Sequence, residues 1–570
     1  MKKIFTIFAL LFGINSNASN IHISTYTVGG VWSTAIADTY YVENNILIDP
    51  YLFIEPGVCV YFNGNYRMLG SGAIIAEGTS DSVVTFTGNT IIGWDGIDVT
   101  DFGYFNFCDI SYCKLNPFDA AIIDVYNNSI EIKNSKFHNC SGIDSMVNKV
   151  LLNIRTTDHS LIYNCDFYDN NIGSCLSVAG DTLSNKITID SCNFYSNRGL
   201  RIINIMHNFN IKNCVLHNND VGEAVLLLSN YRDGIDIDTV LNNKIYSNNI
   251  NQNGAIKIHQ DVSTHTSPRI YVDRNFISNN NCLATLSCDV NGGSAFHITS
   301  SDHTGQIILT NNIITHNISP AIVGGAIFVN NSNVIISNNT IINNYGQHGA
   351  ALRIVNTDSS YHNILWAFNN IFSNNRDSSI VHSPSIPIDG ESNGMVVIFN
   401  NYFDSTILPY TALFPLYSVS GNIQHNVLNL TRISDTSGII ANPLIYDYTP
   451  LYNSICIDSG NMRAPLPRDT TYDYYGRNRI NNFKVDIGAI EYLYEPLIVN
   501  EVYNNCLIYP NPANNVLHIE LDKYSMVVIY DIMGRRILST EGKNIDLDVS
   551  SLSGIYFLLE NMKIHKIEIK

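Results

Sequence analysis

Short runs in which apolar and polar residues alternate fill most of the chain. The segment Val334 to Gly346, VIISNNTIINNYG, is representative, with isoleucines at close spacing and asparagine pairs between them. A spacing of two is typical of β-strands, whereas an amphipathic helix repeats every three to four residues. Asparagine is disfavoured both in helix interiors and in ordinary strands, so its regular use indicates a special backbone geometry at fixed points. The pattern predicts an all-β protein.

This segment recurs with a period of about 29 residues. Related copies read IILTNNIITHN, LWAFNNIFSNN and DTVLNNKIYSNN, and looser copies such as LIYNCDFYDNN precede them. A unit of this size that contains only strands cannot bury its own apolar face, so it must stack on its neighbours. The repeat therefore predicts a parallel β-helix with coils about 4.8 Å apart. The second residue of the central pair falls at Cys108, Ser135, Cys165, Cys192, Cys214, Asn243, Asn275, Asn312, Asn339, Asn370 and Asn401.

The asparagines of this series are predicted to form a structural ladder. Asparagine tolerates the left-handed backbone conformation that a corner between strands requires. Side-chain amides stacked coil on coil can also bond to one another, which satisfies groups that would otherwise be buried without partners. A functional polar row is the alternative interpretation. The predicted ladder comprises Asn243, Asn275, Asn312, Asn339, Asn370 and Asn401.

Cysteines replace asparagine in the earlier coils and are predicted to form an inward stack of small side chains. Cross-coil disulfides remain an alternative, because the coil spacing keeps the Cα atoms within reach. Among the 12 cysteines, Cys282 and Cys288 are the favoured candidates for a disulfide. A metal site is not expected, because no Cys-x-x-Cys pair or Cys/His cluster has ligand spacing.

The composition indicates a folded chain and narrows the choice of partners. Charged residues make up 14% and apolar residues 45% of the 570 residues. The formal net charge of −18 argues against a nucleic-acid partner, which favours a basic surface, and it disfavours docking on anionic lipid.

The N-terminus has the three parts of a secretory signal peptide, predicted over residues 1–18. Lys2 and Lys3 precede an apolar run from Ile4 to Ile14, and small residues follow up to Ala18. A buried N-terminal strand is the alternative. We expect no transmembrane segment, because no apolar run is long enough to span a bilayer.

Two stretches resemble exported right-handed β-helix proteins. Ile54–Phe62 and Ala76–Thr79 match the "I-x-P-G-V-x-V-x-F" and "A-x-G-T" pattern of their opening rungs, and "VDIGAIEY" resembles their closing segment. The resemblance covers Thr27 to Tyr492 and implies right-handed coils. It does not indicate an activity, because the group includes lyases, hydrolases and adhesins. We expect N-terminal strands and first rungs over 19–90, the β-helix with its closing segment over 91–493, and a linker over 494–504.

Residues 505–570 predict a small C-terminal β-sandwich of four strand-rich blocks. The blocks resemble the C-terminal sorting domain of type IX secretion cargo from Bacteroidetes. The resemblance implies passage through the periplasm, recognition by an outer-membrane translocon, and release or attachment at the cell surface. The end KIHKIEIK is less basic than is typical of that family and leaves release or attachment open. The matching motif residues are Pro510, Asn511, Pro512, Gly534 and Arg535.

One recurrent strand suggests a binding strip on the outside of the coils. Its copies RGLRII, GEAVLLL, NGAIKIH, GSAFHI, GGAIFV and GAALRI place cations and an aromatic ring in one exposed column. Cations pair with the carboxylates or sulfates of an anionic glycan, and a ring offers a stacking surface. An ordinary solvated strand face is the favoured interpretation, and glycan binding is the functional one. The column comprises Arg201, Leu226, Lys257, His297, Phe328 and Arg353.

A cofactor is not expected, although Asp233, Asp236 and Asp238 offer carboxylates for calcium as an alternative to a polar turn. No carboxylate pair identifies a glycosidase, because the separation across coils cannot be read from sequence.

The sequence therefore predicts an extracellular or cell-surface β-helix that binds glycans or surfaces along its side. A polysaccharide lyase or glycoside hydrolase acting on an anionic glycan is the alternative, in which a cation neutralises the uronate and a basic side chain removes its proton.

Overall fold

A computed structural model describes most of the chain, and every regular element in the described residues is a β-strand. The described ranges are 20–126, 129–142, 149–155, 160–179, 186–206, 208–230, 237–260, 269–283, 292–300, 306–347, 349–355, 364–377, 388–391, 395–403, 440–442, 447–451, 454–462, 472–480, 484–493, 507–532, 534–560 and 563–570. The predicted signal peptide and linker lie outside them.

The strands are numbered in chain order. The first coils contain β1 (Asn20–Ile23), β2 (Thr27–Trp32), β3 (Thr39–Val42), β4 (Ile46–Ile54), β5 (Cys59–Phe62), β6 (Arg67–Gly70), β7 (Ala73–Glu77), β8 (Val84–Gly88), β9 (Gly96–Val99) and β10 (Gly103–Asn106). The next coils contain β11 (Cys108–Ser111), β12 (Lys114–Leu115), β13 (Ala121–Tyr126), β14 (Ile130–Lys133), β15 (Lys136–His138), β16 (Ser141–Gly142), β17 (Val150–Arg155), β18 (Ser160–Tyr163), β19 (Asp166–Tyr168), β20 (Ser174–Val178), β21 (Ile187–Asp190), β22 (Asn193–Tyr195), β23 (Arg198–Ile205), β24 (Phe209–Lys212), β25 (Val215–His217), β26 (Asp220–Asn230), β27 (Ile237–Leu241) and β28 (Lys244–Tyr246).

The later coils contain β29 (Asn249–Ile250), β30 (Ile256–Gln260), β31 (Arg269–Asp273), β32 (Phe276–Ser278), β33 (Asn281–Cys282), β34 (Phe296–Ser300), β35 (Gln306–Thr310), β36 (Ile313–Thr315), β37 (Ile318–Val323), β38 (Ile327–Asn330), β39 (Val334–Ser337), β40 (Thr340–Ile342), β41 (Tyr345–Gln347), β42 (Leu352–Val355), β43 (Ile364–Phe368), β44 (Ile371–Ser373), β45 (Arg376–Asp377), β46 (Ile388–Glu391), β47 (Met395–Phe399) and β48 (Tyr402–Phe403). The remaining strands are β49 (Ile440–Asn442), β50 (Asp447–Pro450), β51 (Leu507–Tyr509), β52 (Val516–Asp531), β53 (Arg536–Asp548), β54 (Gly554–Glu560) and β55 (Lys563–Ile569).

Successive coils contribute parallel strands to three sides of the molecule, so the predicted β-helix is confirmed. A 15-stranded sheet, here called sheet A, runs from β1 through β28 to β48. A 31-stranded sheet forms the other two sides. Face B of that sheet includes β23, β26, β30, β34, β38 and β42, and face C includes β24, β27, β31 and β35. The chain visits sheet A, face B and face C in turn, as β28, β30 and β31 show.

Side chains from the strands of the coils form one continuous apolar core. The core cluster extends along the coils from Val28 on β2 to Ile388 on β46. Identical side chains stack in it: the ring centroids of Phe137, Phe167 and Phe194 follow one another at 4.7 and 4.6 Å. Stacking of this kind explains why a unit of about 29 residues needs its neighbours to bury its apolar face.

The asparagine pairs divide two tasks between them. The first residue of each pair adopts the left-handed conformation at the corner, as Asn311, Asn338 and Asn369 do with φ of 54°, 53° and 55°. The second residue is buried and bonds along the coils: the Nδ2 of Asn312 donates to the Oδ1 of Asn339 at 3.0 Å. The same bonds link Asn243, Asn275, Asn312, Asn339, Asn370 and Asn401 in sequence.

A second asparagine ladder, which the sequence analysis missed, runs beside the first. Its first three members lie five residues after Cys165, Cys192 and Cys214, and its other five lie five residues after the first-ladder asparagines from Asn243 to Asn370. Each Nδ2 donates to the next Oδ1 at 2.9 to 3.1 Å. The signal was present in the sequence as the final Asn of segments such as IILTNNIITHN. The second ladder comprises Asn170, Asn197, Asn219, Asn248, Asn280, Asn317, Asn344 and Asn375.

The described parts of the closing segment (440–442, 447–451, 454–462, 472–480 and 484–492) include residues that pack on the outer side of the last strands of sheet A. Tyr448, Ile487 and Ala489 of this segment form an apolar cluster with outward side chains such as Ile313 and Ile371. The segment therefore covers one end of sheet A, and among the described residues it makes no such contact with the earlier strands of that sheet.

The coils and the closing segment form one compact unit, residues 1–492, and residues 493–570 form a second. In the second unit, β52 and β53 are long strands whose pairing shifts register between Glu520 and Ser525. β51 pairs with the first half of β52, whereas β54 pairs with the second half. Side chains of both halves share one core, which gives the small β-sandwich. Among the described residues no helix has the length and apolar character needed to cross a bilayer.

Candidate binding surface

Four residues of the predicted strip share one register position on face B. Lys257, His297, Phe328 and Arg353 lie directly opposite one another on β30, β34, β38 and β42. Each belongs to the outward set of its strand, as the alternation of apolar residues had indicated. The structure therefore brings these four side chains into one column.

Two other residues of the expected strip lie outside this column. Arg201 pairs with Ala224, and Leu226 faces the core opposite Ile203 and Ile256. The residue that actually aligns with Lys257 is Leu227. The pairing of β23 with β26 shifts register between Gly199 and Arg201, and such a shift moves a side chain away from the column that spacing predicts.

The centre of the column is buried, which corrects the expectation of an exposed face. His297 is 2% exposed and Phe328 is 0% exposed. The turn before each strand folds over them: Gly292 accepts a bond from the Nδ1 of His297 at 3.0 Å. A Cβ on Gly324 would lie only 3.0 Å from the Cβ of Arg353 and 3.3 Å from that of Phe328. Glycine permits this close approach of the backbone, so the glycine-rich turns cover the strip.

The cations near this strip are held by one carboxylate. Glu223 meets Arg201 at 2.5 Å and Lys257 at 2.9 Å. Burial alone would raise the pKa of Glu223, but the bond and charge of Lys257, with the charge of Arg201, hold that pKa below its usual value. Burial lowers the pKa of His297 to about 4, and the charge of Lys257 acts in the same direction, so the imidazole is neutral at pH 7. An anionic ligand would have to compete with Glu223 for both cations.

An open row of rings lies on sheet A, on a different side of the coils. His138, Tyr168, Tyr195, His217 and Tyr246, here called the aromatic column, are the last residues of β15, β19, β22, β25 and β28. They pair in register, and all five are partly exposed. Their ring centroids follow one another at 4.8, 5.1, 5.5 and 5.0 Å.

The aromatic column presents ring edges to solvent. Successive ring planes differ by only 2° to 9°, so each ring covers the face of the next. The hydroxyls of Tyr168, Tyr195 and Tyr246 have no hydrogen-bond partner within the described part of the chain. Burial, followed by the charge of nearby aspartates, raises the pKa of Tyr168 and Tyr195, so both hydroxyls remain donors at neutral pH. Within the described residues the column therefore offers three tyrosine hydroxyls, whereas the ring nitrogens of His138 bond to Asp109 and Asn139 and the Nδ1 of His217 bonds to Asn218.

A second outward column runs along its side. This flanking column mixes charges of both signs with neutral residues. Asp109 meets His138 at 3.0 Å, and Asp166 accepts a bond from Asn193 at 2.8 Å. The flanking column comprises Asp109, Lys136, Asp166, Asn193, Val215 and Lys244.

The sequence contained a signal for the aromatic column. The triplets KFH, DFY, NFY, VLH and KIY each place a ring two positions after a polar or small residue. Each ring lies three residues after the repeat position that serine, cysteine or asparagine occupies, so the same period that reveals the ladder contains this column.

The side chains of a charged cluster on face B bond to one another. Asp124, with its side chain 3% exposed, accepts bonds from Asn153, Tyr126 and Arg155 at 2.7 to 2.9 Å. This cluster is explained as a set of mutual contacts across coils.

The remaining candidate residues have structural contacts or lie outside the described ranges. Asp238 is fully buried and accepts the backbone N–H of Phe209 at 2.8 Å. Asp233 and Asp236, its predicted partners in a calcium site, lie outside the described residues, as does Cys288. Cys282 is buried as a thiol. Calcium at Asp238 therefore remains an untested alternative.

The motif residues of the C-terminal unit lie at its turns. Asn511, between Pro510 and Pro512, donates to the carbonyl of Lys566 at 3.0 Å and accepts from the N–H of Glu568 at 2.8 Å. Gly534 has a φ of 76° in the turn after β52, where Arg535 meets Asp531 at 2.7 Å. The motif thus fixes the chain ends and one hairpin of this unit.

Comparison with protein families identifies both parts of the chain. Residues 72–230 match the family described as right handed beta helix region, and residues 507–569 match the secretion system C-terminal sorting domain. No curated protein matches the chain significantly. The chain therefore joins a right-handed parallel β-helix to a C-terminal sorting domain of the type IX secretion system.

Proposed function

We propose that this protein is an exported solenoid that binds polysaccharide along the open part of sheet A, at the cell surface or outside the cell. The single observation that carries the proposal is the aromatic column, whose hydroxyls and ring edges line one exposed side of consecutive coils. A polymer that lies across several coils can meet all of these groups at once. Export through the sorting domain would bring the protein to the compartment where such polymers occur.

The proposed binding surface is the aromatic column and not the strip that was predicted from the sequence on face B. At the strip, turns cover His297 and Phe328, and Glu223 binds the neighbouring cations. At the aromatic column, the hydroxyls of Tyr168 and Tyr195 have no hydrogen-bond partner among the residues that the structure describes. Lyase or hydrolase action remains the alternative. It has less support, because the residues that would perform it belong to the covered strip.

Binding to a polysaccharide panel tests the proposal. The mature full chain is incubated with insoluble and soluble glycans, and the bound fraction is measured by pull-down and calorimetry. The variant Tyr168→Phe/Tyr195→Phe keeps the ring stack but removes two hydroxyls. With about 1 kcal/mol for each of the two hydrogen bonds, we expect affinity to fall by about 30-fold.

Tyr163→Ala is the matched control, because Tyr163 is an exposed tyrosine on face C and lies outside the aromatic column. Its affinity should equal that of the parent chain. Reducing ends and new double bonds are followed in the same samples. Failure to bind any glycan would overturn the proposal, and release of products from a bound glycan would support the enzymatic alternative instead.

A further inference from the structure

The aromatic column has a direction and a defined length. Its rings succeed one another along the axis of the coils, at one ring per coil and about 5 Å per step. The position before His138 is Ser111, and the position after Tyr246 is Ser278. The row is therefore bounded by a serine at each end.

The closing segment also limits the row on the side of Tyr246. Ser278 is fully buried, and Tyr448 of the closing segment bonds to Thr315 at the same register position one coil further on, at 3.5 Å. A ligand that follows the row meets covered surface beyond Tyr246. The open part thus corresponds to a short stretch of an extended polymer.

The charges beside the row nearly balance. Lys136 and Lys244 lie on the flanking column together with Asp109 and Asp166, and Asp169 adds one carboxylate at the corner. A polyanion would meet these carboxylates as well as the net charge of −18. A polycation would be attracted by that net charge, but along the row it would meet both lysines, which offset two of the three carboxylates. Hydrogen bonds from uncharged hydroxyls to Tyr168, Tyr195 and Tyr246 carry no such penalty.

We propose that the ligand is an uncharged, extended polysaccharide that lies along the coil axis with one sugar on each coil from His138 to Tyr246. This inference rests on the proposed function and specifies the ligand for the same surface. The rise per coil is comparable with that of an extended β-linked pyranose chain. The hydroxyls of Tyr168, Tyr195 and Tyr246 would therefore bond to their own sugars. The exposed edges of His138 and His217, whose ring nitrogens bond to protein groups (both in His138, Nδ1 in His217), would make van der Waals contact with theirs.

A length series tests the register. The full mature chain is titrated with β-1,4-linked gluco-, manno- and xylo-oligosaccharides from disaccharide to octasaccharide. For the sugar that binds, we expect affinity to rise with each added unit up to the pentasaccharide and then to level off. In the variant Tyr246→Ala, which shortens the row by one coil, the plateau should move to the tetrasaccharide. Tyr163→Ala should leave the plateau unchanged.

Oligogalacturonate and chitosan oligomers test the charge. We expect both to bind at least tenfold more weakly than the uncharged oligosaccharide, and we expect binding of the latter to change little between low and high salt. A preference for a charged polymer, an affinity independent of length, or a plateau unaffected by Tyr246→Ala would overturn this inference while glycan binding itself stood. Failure of every glycan in the polysaccharide panel to bind would instead overturn the proposed function.

Discussion

Each ladder asparagine satisfies three sets of buried groups at once. The Oδ1 of Asn312 accepts both the backbone N–H and the Nδ2 of Asn275, at 2.9 Å each. Its own Nδ2 donates to the carbonyl of Val272 at 2.8 Å and to Asn339 at 3.0 Å. Asparagine fits the position because its amide has an acceptor for the preceding coil and donors for both neighbours.

The cysteines in the earlier coils fill part of the same role. The Sγ of Cys214 lies 3.7 Å from the carbonyl of Ile189 and 3.2 Å from that of Lys212, where an asparagine would place its Nδ2. The backbone N–H of Cys214 donates to Asn243 at 2.9 Å. Burial raises the pKa of the Cys214 thiol well above its usual value, so the proton stays on sulfur. The inward stack is thus a weaker form of the ladder.

Asn312→Ala should destabilise the coils strongly. The change removes the acceptor for two donors of Asn275 and the donor for Val272, and each buried group left without a partner costs about 1 to 3 kcal/mol. We expect a loss of about 4 kcal/mol, measured from urea unfolding followed by circular dichroism. Asn251→Ala is the control, because that asparagine is exposed and its backbone N–H remains. Equal midpoints for the two variants would contradict a structural role for the ladder.

At the scale of elements, the repeat was sufficient to predict the stacking of the coils. Strand period, the left-handed corners and the first ladder all follow from local sequence, because they depend on residues that meet their own copies one coil away. The placement of Lys257, His297, Phe328 and Arg353 in one column follows for the same reason. Regular spacing therefore predicts neighbours within a stack.

The exposure of that column could not be predicted, because alternation indicates which way a side chain points and not what covers it. The backbone at Gly324 lies over Phe328, and this depends on how a turn folds back. The displacement of Arg201 has a similar origin, since one register shift moves a residue that the alignment places correctly in its strand. The exposure of the aromatic column also depends on tertiary packing, because it is set by which strands of sheet A the closing segment contacts.

The closing segment is held to sheet A by a buried cation. Arg479, fully buried, bonds to Glu491 at 2.6 Å and to Asn311 at 2.6 Å. Asn311 is a corner residue of the coils, so this contact joins the segment to the repeat. Removal of one partner of a buried ion pair leaves the other charge uncompensated.

Arg479→Ala should therefore loosen the closing segment while the coils stay folded. We expect a local cost of about 3 kcal/mol and a rise in amide hydrogen exchange of about 100-fold. The amides to monitor are those of Ile487 and Gly488, which donate to Cys456 and Asn369. Arg198→Ala, at an exposed pair of 3.6 Å, provides the control and should change little. Unchanged exchange at both amides would show that the apolar contacts alone hold the segment.

At the scale of the whole molecule, the coils with the closing segment form one unit, and the sorting domain, whose family serves secretion, forms the other. The core of the coils and the core of the C-terminal unit have no residue in common. The strands of the two units also belong to different sheets: within the described residues, β51 to β55 pair only with one another. A unit with its own core is expected to fold without the other.

Separation of the chain after residue 492 tests this division. Residues 20–492 and 493–570, produced apart, should each give a cooperative thermal transition at the temperature seen in the full chain, because neither core loses a side chain. In cells of a host with type IX secretion, the chain that ends at residue 492 should remain in the periplasm, whereas the full chain leaves it. Cell fractions are compared by immunoblotting. The full chain with Tyr163→Ala is the control, because a substitution that leaves the sorting domain in place should not change export. A fragment 20–492 that aggregates or lacks a transition would show that the coils depend on the C-terminal unit. Normal export of the chain that ends at residue 492 would show that the sorting domain is not what directs secretion.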